Sequence, residues 1–174
     1  MAVCDITKGR SKPCKSHLGG ASKLYLFNYL ADPFTLLDGE ATAMNVLLTE
    51  SFVYDLVGDG QVLTEEMVGD RSAGTRVNTQ TTTAILQGID FATSNEMKLL
   101  VAGTPQGIVQ SNDGNYHLVG ITHGIDFSAS LTTGTTQSEL NGITLTGVSI
   151  EKDYSPILDS ATVTAFLATV AVNV

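Results

Sequence analysis

Three potential metal ligands lie close together near the amino terminus. Cys4, Cys14 and His17 have the spacing Cys-x9-Cys-x2-His, which lacks the close cysteine pair typical of structural zinc sites. A fourth ligand would have to come from His117 or His123, far along the chain. Free or paired thiols are the simpler interpretation of the two cysteines, so we predict neither a metal ion nor another cofactor.

The sequence lacks the patterns of common catalytic and nucleotide-binding sites. Serine, histidine and aspartate residues occur, but no Gly-x-Ser-x-Gly turn presents a nucleophile. The chain has no Gly-x-x-x-x-Gly-Lys-[Ser/Thr] loop and no Gly-x-Gly-x-x-Gly turn. The acidic residues around Asp59 and Glu65 miss the spacing of an EF-hand calcium loop. We therefore predict no catalytic residues and a protein that is not an enzyme.

The length and composition indicate one folded domain. The chain has 174 residues, of which 43% are hydrophobic and 16% are charged, a balance typical of globular proteins. No apolar run reaches the roughly 18 residues of a membrane-spanning helix, and residues 1–23 lack the apolar segment of a secretion signal. We expect a soluble protein with a basic arm at 1–23 and a single β-rich assembly domain at 24–174.

The charge is unevenly distributed along the chain. Residues 1–23 carry five basic side chains and one acidic side chain, a net charge of +4, whereas residues 24–174 carry four basic and seventeen acidic side chains, a net charge of −13. A basic arm on an acidic body is complementary to other copies of the same chain. A loose, solvated terminus is the alternative interpretation. The predicted contact residues between copies are Lys8, Arg10, Lys12, Lys15, Asp59, Glu65, Glu66 and Asp70.

Apolar alternation and turn residues predict a mainly β fold with one short flanking α-helix and long loops. The predicted elements are, in chain order, strands at 24–30 and 46–57, an acidic loop at 58–74, a strand at 76–87, a helix from an N-cap at Ser94 to Ala102, a hairpin through Asp113-Gly114 and a terminal strand at 160–174. The first strand is apolar on both faces, so both faces should be covered.

The longest nearly uncharged segment runs from His123 to Lys152. Between Phe127 and Ile150 the only ionised side chain is Glu139. Two runs of β-branched residues flank a polar connection, a pattern that predicts a hairpin. The alternation of apolar and polar residues changes at Gly147, where we expect a β-bulge or a sharp bend.

The strand at 76–87 carries polar side chains on both faces in its first half. Such a strand cannot lie wholly in a core, so one face should meet solvent, a lumen or a neighbouring subunit. A pore through which DNA must slide is best lined by acidic and neutral polar residues, because these do not hold phosphate. The predicted lumen-facing residues are Thr79, Gln80, Thr81 and Thr83.

Three segments carry a resemblance to a known family. They are the amino-terminal Cys-x9-Cys region with GGASKLYLFNYL, the block TRVNTQTTTAILQGIDFATSNEMKLLVAG, and the sequence NGITLTGVSIEKDYSPIL. In these segments the chain resembles virion structural proteins of tailed bacteriophages, in particular a tail-tube-type protein of phages with Bacteroidetes hosts. The resemblance implies a β-sandwich or barrel-like domain whose copies, six or another number, join their sheets into an inner barrel. The strand at 76–87 and the 123–152 hairpin would supply the inner sheet.

The resemblance also implies a function without catalysis. We expect a virion protein, assembled in the host cytoplasm, that forms a homo-oligomeric ring or tube of a phage tail or tail connector. Its partners would be further copies of itself, other virion proteins and DNA that passes without specific binding. A capsid decoration or head-fibre-associated protein is the alternative, and a small β-rich metal-binding module or enzyme is the remote alternative.

Overall fold

The structure is a computed structural model that describes residues 6, 8–15, 17–56 and 58–171. It is mainly β, with 45% of the chain in strands and 12% in helices, as the sequence predicts. The strands are β1 (Ala21–Phe27), β2 (Phe34–Leu37), β3 (Glu40–Met44), β4 (Phe52–Asp55), β5 (Val62–Asp70), β6 (Thr75–Gln87), β7 (Gln106–Ser111), β8 (Tyr116–Val119), β9 (Asp126–Thr132), β10 (Gly142–Glu151) and β11 (Ile157–Leu158). The helices are α1 (Phe91–Ala102) and α2 (Ser160–Leu167).

The strands form two sheets, which we call the large sheet and the small sheet. The large sheet has seven strands in the order β2-β3-β11-β8-β7-β1-β4, and the small sheet has four in the order β5-β6-β10-β9. All pairings in the small sheet are antiparallel, whereas β3 and β11 of the large sheet run parallel. Neither sheet closes into a barrel within the described residues, so the chain by itself is sandwich-like.

Aliphatic side chains fill the space between the two sheets. Leu24 and Leu26 of β1 belong to the same buried cluster as Ala84 of β6 and Leu145 of β10. Helix α1 adds Met97 and Leu100 to this cluster. Burial of these apolar surfaces is the main force that holds the small sheet against the large one.

A second core lies on the opposite face of the large sheet. Tyr25 and Phe27 alternate with the leucines of β1, so they point away from the small sheet and towards α2. Phe166 of α2 is fully buried there, with its ring centre 5.4 Å from that of Tyr25 in an edge-on arrangement. The prediction that both faces of the first strand are covered is therefore confirmed.

The predicted centre of the small sheet is also confirmed. Strand β6 spans the whole predicted segment 76–87 and one residue before it, and β10 pairs with it in unbroken register from Gly142 to Glu151. Strands β9 and β10 form the predicted hairpin. Its connection is organised by Glu139, whose Oε2 accepts hydrogen bonds from the Thr135 amide at 2.6 Å and the Thr135 hydroxyl at 2.7 Å. The hairpin through Asp113-Gly114 joins β7 to β8 as expected.

The acidic segment 58–74 is not the predicted loop. Its centre is strand β5, which pairs with β6 along nine residues, and only residues 71–74 form the turn between the two strands. The inward positions of β5 carry Leu63, Glu65 and Met67, so the alternation is present but one inward residue is charged. Pairing with β6 outweighs the low strand preference of the glutamates because strand stability depends on context.

The carboxyl-terminal segment is not the predicted strand. Residues 160–167 form helix α2, and the only strand-like contact of this segment within the described residues is a single parallel bridge between Val170 and Ser51. Asp159 caps the helix, because its Oδ1 accepts a hydrogen bond from the Thr162 amide at 2.6 Å. The fold therefore has two helices where one was predicted.

Two further element boundaries differ from the prediction. Helix α1 begins after Asp90, which caps it by accepting a hydrogen bond from the Thr93 amide at 2.6 Å, so Ser94 is not the N-cap. The strand predicted at 46–57 is confined to β4, because a turn occupies the preceding residues. In both cases an aspartate or asparagine side chain fixes the local backbone, as the Asn45 Oδ1 contact with the Leu47 amide at 3.0 Å illustrates.

The predicted bulge at Gly147 is wrong. The pairing of β10 with both neighbours passes through Gly147 without a shift. A Cβ atom at this position would lie 2.6 Å from Phe127 Cε1 and 2.7 Å from Ile125 Cγ2. The glycine is therefore needed because its neighbours fill the space above it, and the exposed Val148 and Ile150 simply share the outward face with the threonines of β10.

Candidate functional site

One face of the small sheet packs on the large sheet and the other is uncovered. We call the uncovered face the threonine face. Its members alternate with core residues along the four strands: Val62, Thr64, Glu66 and Val68 of β5; Val77, Thr79, Thr81 and Thr83 of β6; Thr144, Thr146, Val148 and Ile150 of β10; and Asp126, Ser128 and Ser130 of β9. The described charged residues on these strands' outward positions are acidic: Glu66, Asp70 and Asp126.

The strand register aligns these side chains in rows across the sheet. Thr83 lies opposite Val62 on one side and Thr146 on the other, and Thr146 lies opposite Ser128. Directly opposed residues of an antiparallel pair share a face, so this row is continuous from β5 to β9. The result is a surface of short hydroxyl and apolar side chains with few charges.

Three of the four predicted lumen-facing residues lie on this face. Thr79, Thr81 and Thr83 are half-buried by their strand neighbours alone. Gln80 lies between them in sequence and therefore points the other way, into the sandwich, where it is 1% exposed. The assignment of Gln80 to a lumen is wrong because side chains alternate along a strand.

Gln80 instead links the small sheet to the large one through buried hydrogen bonds. Its Nε2 donates to Glu65 Oε1 at 3.2 Å, and its Oε1 accepts from the Gly120 amide at 3.1 Å. The same Glu65 oxygen accepts from the Ser155 amide at 3.1 Å. The sequence did not predict this network, because the two side chains become neighbours only through the pairing of β5 with β6.

The predicted contact residues do not form one patch. Lys8, Arg10, Lys12 and Lys15 are exposed in the arm. Asp59 lies in an exposed bend, Glu65 points inward, Glu66 lies on the threonine face, and Asp70 caps the β5–β6 turn by accepting from the Ser72 and Ala73 amides. The hydrogen bond from the Ser72 hydroxyl is the largest cause that lowers the pKa of Asp70.

The base of the arm is fixed to the β7–β8 turn. Asp113 Oδ1 accepts from the Leu18 amide at 2.7 Å, and Asp113 Oδ2 lies 2.9 Å from His17 Nδ1. Both contacts lower the pKa of Asp113, the Leu18 amide more than the histidine. Asn112 adds a hydrogen bond from its Nδ2 to the Gly19 carbonyl at 2.7 Å. The arm therefore leaves the domain at a defined place.

A cavity of about 540 Å³ opens at this place. We call it the arm-side cavity, and the lining residues that matter here are Leu18, Val62, Glu65, His117, Tyr154 and Ile157. His117 Nδ1 lies 3.4 Å from Ser155 Oγ. Burial lowers the pKa of His117, and the opposing effect of the Glu65 carboxylate is smaller. The cavity thus contains a carboxylate beside a histidine that prefers to be neutral.

The cysteines and helices contribute no further site among the described residues. Cys14 is exposed and free, whereas Cys4 lies outside the described residues. No group of three or more histidine, cysteine, aspartate or glutamate side chains is placed to hold a metal ion within the described part of the chain. Neither of the two described helices is long and apolar enough to cross a membrane.

Comparison of the chain with protein-family models, with curated proteins and with solved structures yields no match.

Proposed function

We propose that this protein is a self-assembling structural protein whose small sheet joins those of neighbouring copies to form the wall of a ring or tube. The setting that the sequence resemblance favours is a bacteriophage tail or tail connector, with DNA passing through the channel. The observation that carries the proposal is the uncovered, weakly charged threonine face between two free sheet edges.

Both edges of the small sheet are open to pairing. Within the described residues, β5 pairs with β6 alone and β9 pairs with β10 alone. Because three antiparallel pairings separate β5 from β9, the two edges run in opposite directions. A copy related by rotation would therefore place its β5 antiparallel to β9, and the sheet would continue without a parallel joint. Exposed edges of this kind favour association.

The shape and charge of the domain support the same arrangement. The small sheet has three strands fewer than the large sheet, so a copy fits a ring best with the small sheet towards the axis. The threonine face then lines the channel. Its hydroxyl groups are wetted by water, and its acidic residues Glu66 and Asp126 repel phosphate, so DNA would not adhere.

Electron microscopy of the purified full chain, with a variant of the β9 edge, tests the proposal. Leu131 of β9 is 53% exposed in the single chain and would be covered at the joint. We expect rings or tubes for the natural sequence and their loss for Leu131→Lys, because a charged side chain at a sheet edge opposes pairing. Leu167→Lys is the matched control, since Leu167 is 41% exposed on α2, which lies beyond the opposite face of the large sheet.

A protein that remains monomeric at high concentration under all salt conditions would contradict the proposal. Rings that persist in Leu131→Lys would show that the joint does not involve β9. A folded Leu131→Lys monomer, with the circular dichroism spectrum of the natural protein, completes the expected result.

A further inference from the structure

We propose that the arm-side cavity receives the basic arm of a second copy of this chain, with the Glu65 carboxylate binding a lysine or arginine side chain. The inference rests on the proposed function, since it names the contact that would fasten neighbouring copies. Three observations support it: Glu65 lacks a described cationic partner, the cavity walls are apolar and aromatic, and the basic residues of the arm are exposed.

Glu65 is a half-buried carboxylate that lacks a cationic partner within the described residues. It accepts hydrogen bonds from Gln80 Nε2 and from the Ser155 amide, but no described lysine or arginine reaches it within 4.0 Å. A carboxylate removed from water is stabilised most by a cation nearby. His117 does not supply one near neutral pH, because burial lowers its pKa.

The walls of the cavity suit a long basic side chain. Ile157 and Leu63, which points to the same side of β5 as Glu65, both line the cavity and offer apolar surface to the methylene groups of a lysine or arginine. Tyr154, which is 58% exposed at the same cavity, offers an aromatic face to the cationic group. The cavity therefore offers apolar surface for the methylene groups of a lysine or arginine, and a carboxylate and an aromatic ring for its cationic group.

Within the described residues, the part of the arm at 8–15 does not line the cavity of its own chain. Leu18 and the two glycines after it line the cavity, but residues 8–15 lie exposed outside it. The basic side chains Lys8, Arg10 and Lys12 are therefore presented to solvent, with no ion pair among the described residues. Each copy thus presents exposed basic side chains at 8–15 and, at a different surface, a cavity that contains the Glu65 carboxylate. Contacts of this kind join copies head to tail, and they close into a ring when the rotation between successive copies closes.

Chemical cross-linking of the full chain tests the inference. The variant Cys4→Ser/Ile157→Cys has one thiol in the arm, the natural Cys14, and one in the cavity wall, where Ile157 is 40% exposed. A short bismaleimide should then join copies into a ladder of covalent oligomers on a denaturing gel. High salt should weaken the ladder, because it screens the attraction between arm and cavity. Cys4→Ser/Val68→Cys is the control, since Val68 lies on the opposite face of β5 and should give no ladder.

A charge substitution in the same background assigns the contact to Glu65. Glu65→Gln retains an oxygen for the Ser155 amide but loses the charge, and we expect about tenfold less ladder, the loss expected for one charge-assisted hydrogen bond. Glu66→Gln, on the other face of the same strand, should leave the ladder unchanged. Arg10→Gln/Lys12→Gln should also reduce the ladder, and because both residues are exposed in the arm we expect the domain to remain folded.

The results separate this inference from the proposed function. An undiminished ladder in Glu65→Gln and in Arg10→Gln/Lys12→Gln overturns it, as does cross-linking confined to single chains, which would mean that each arm occupies its own cavity. Rings in micrographs without a ladder leave the proposed function standing and reject the arm contact. Neither rings nor a ladder rejects both.

Discussion

Gln80 and Glu65 lie directly opposite each other in the β5–β6 pair, and Gln80 Nε2 donates a hydrogen bond to Glu65 Oε1 at 3.2 Å. Gln80 is 1% exposed, and its Oε1 accepts a hydrogen bond from the buried amide of Gly120, the residue that follows β8 of the large sheet. The two polar side chains therefore connect β5, β6 and the Gly120 amide inside the sandwich. An apolar residue in place of Gln80 could make none of these hydrogen bonds. Buried hydrogen bonds of this kind help to fix one relative position of the two sheets.

Replacing Gln80 should destabilise the fold measurably. In Gln80→Leu the buried Gly120 amide loses its acceptor, and we expect a loss of roughly 1–3 kcal/mol in the free energy of unfolding. Urea denaturation followed by circular dichroism measures the change. Gln87→Leu is the control because Gln87 is exposed at the end of the same strand. Equal midpoints for the two variants would mean that the Gln80 contacts contribute nothing to stability.

Gly147 should tolerate no side chain. In Gly147→Ala the new methyl group would meet the Phe127 ring and Ile125, and repacking should cost roughly 1–3 kcal/mol. The midpoint of urea unfolding should fall while its slope is unchanged. Gly69→Ala is the control, since a Cβ atom at Gly69 of β5 would have no neighbour within 4 Å. An unchanged midpoint in Gly147→Ala would show that Phe127 and Ile125 can move aside and that a glycine is not required there.

His117 should make the protein less stable in mild acid. Because burial lowers its pKa in the folded state, the unfolded chain takes up a proton first as the pH falls below about 6.5. The stability contributed by the neutral imidazole is complete above that pH and decreases as the pH falls through the lowered folded pKa. The stability difference between the natural protein and His117→Asn should therefore shrink or reverse on acidification. The same titration of His123→Asn, at an exposed histidine, serves as the reference.

Asp113 should hold the base of the arm in place. In Asp113→Asn the Leu18 amide keeps one neutral acceptor at best and His17 loses an ionic partner. We expect faster hydrogen exchange at the Leu18 amide, measured by nuclear magnetic resonance. In the natural protein this protection should persist in acid until the lowered pKa of Asp113 is reached, and be lost below it. Asp153→Asn, an exposed aspartate paired with Arg76, should leave the Leu18 amide unaffected.

The sequence predicts the centre of the small sheet well and its edge poorly. Strand β6 and the β9–β10 hairpin are long, rich in β-branched residues and bounded by turn residues, so their local pattern agrees with their tertiary role. Strand β5 is missed because Glu65 occupies an inward position, where only a partner such as Gln80 on the neighbouring strand makes a charge acceptable. Such a partner is visible only after the strands are paired.

Helix α2 is missed for a different reason. Its sequence, SATVTAFL, combines β-branched residues with no charge, which favours a strand when read locally. The helix is instead stabilised by the capping hydrogen bond of Asp159 and by the burial of Phe166 against Tyr25. Strand alternation alone predicts that Thr79, Thr81 and Thr83 share one face of β6. The course of the arm could not be predicted in this way, because it depends on a hydrogen bond between Leu18 and Asp113, ninety-five residues apart.

The length of β6 sets a limit on any filament built from this domain. Its thirteen residues, at about 3.3 Å each, span about 43 Å. A tilt of the strand against the axis shortens that span further. If the small sheets form an unbroken wall, the axial repeat of stacked rings cannot exceed the reach of this longest strand, and a layer line in the diffraction of the filament would report it directly.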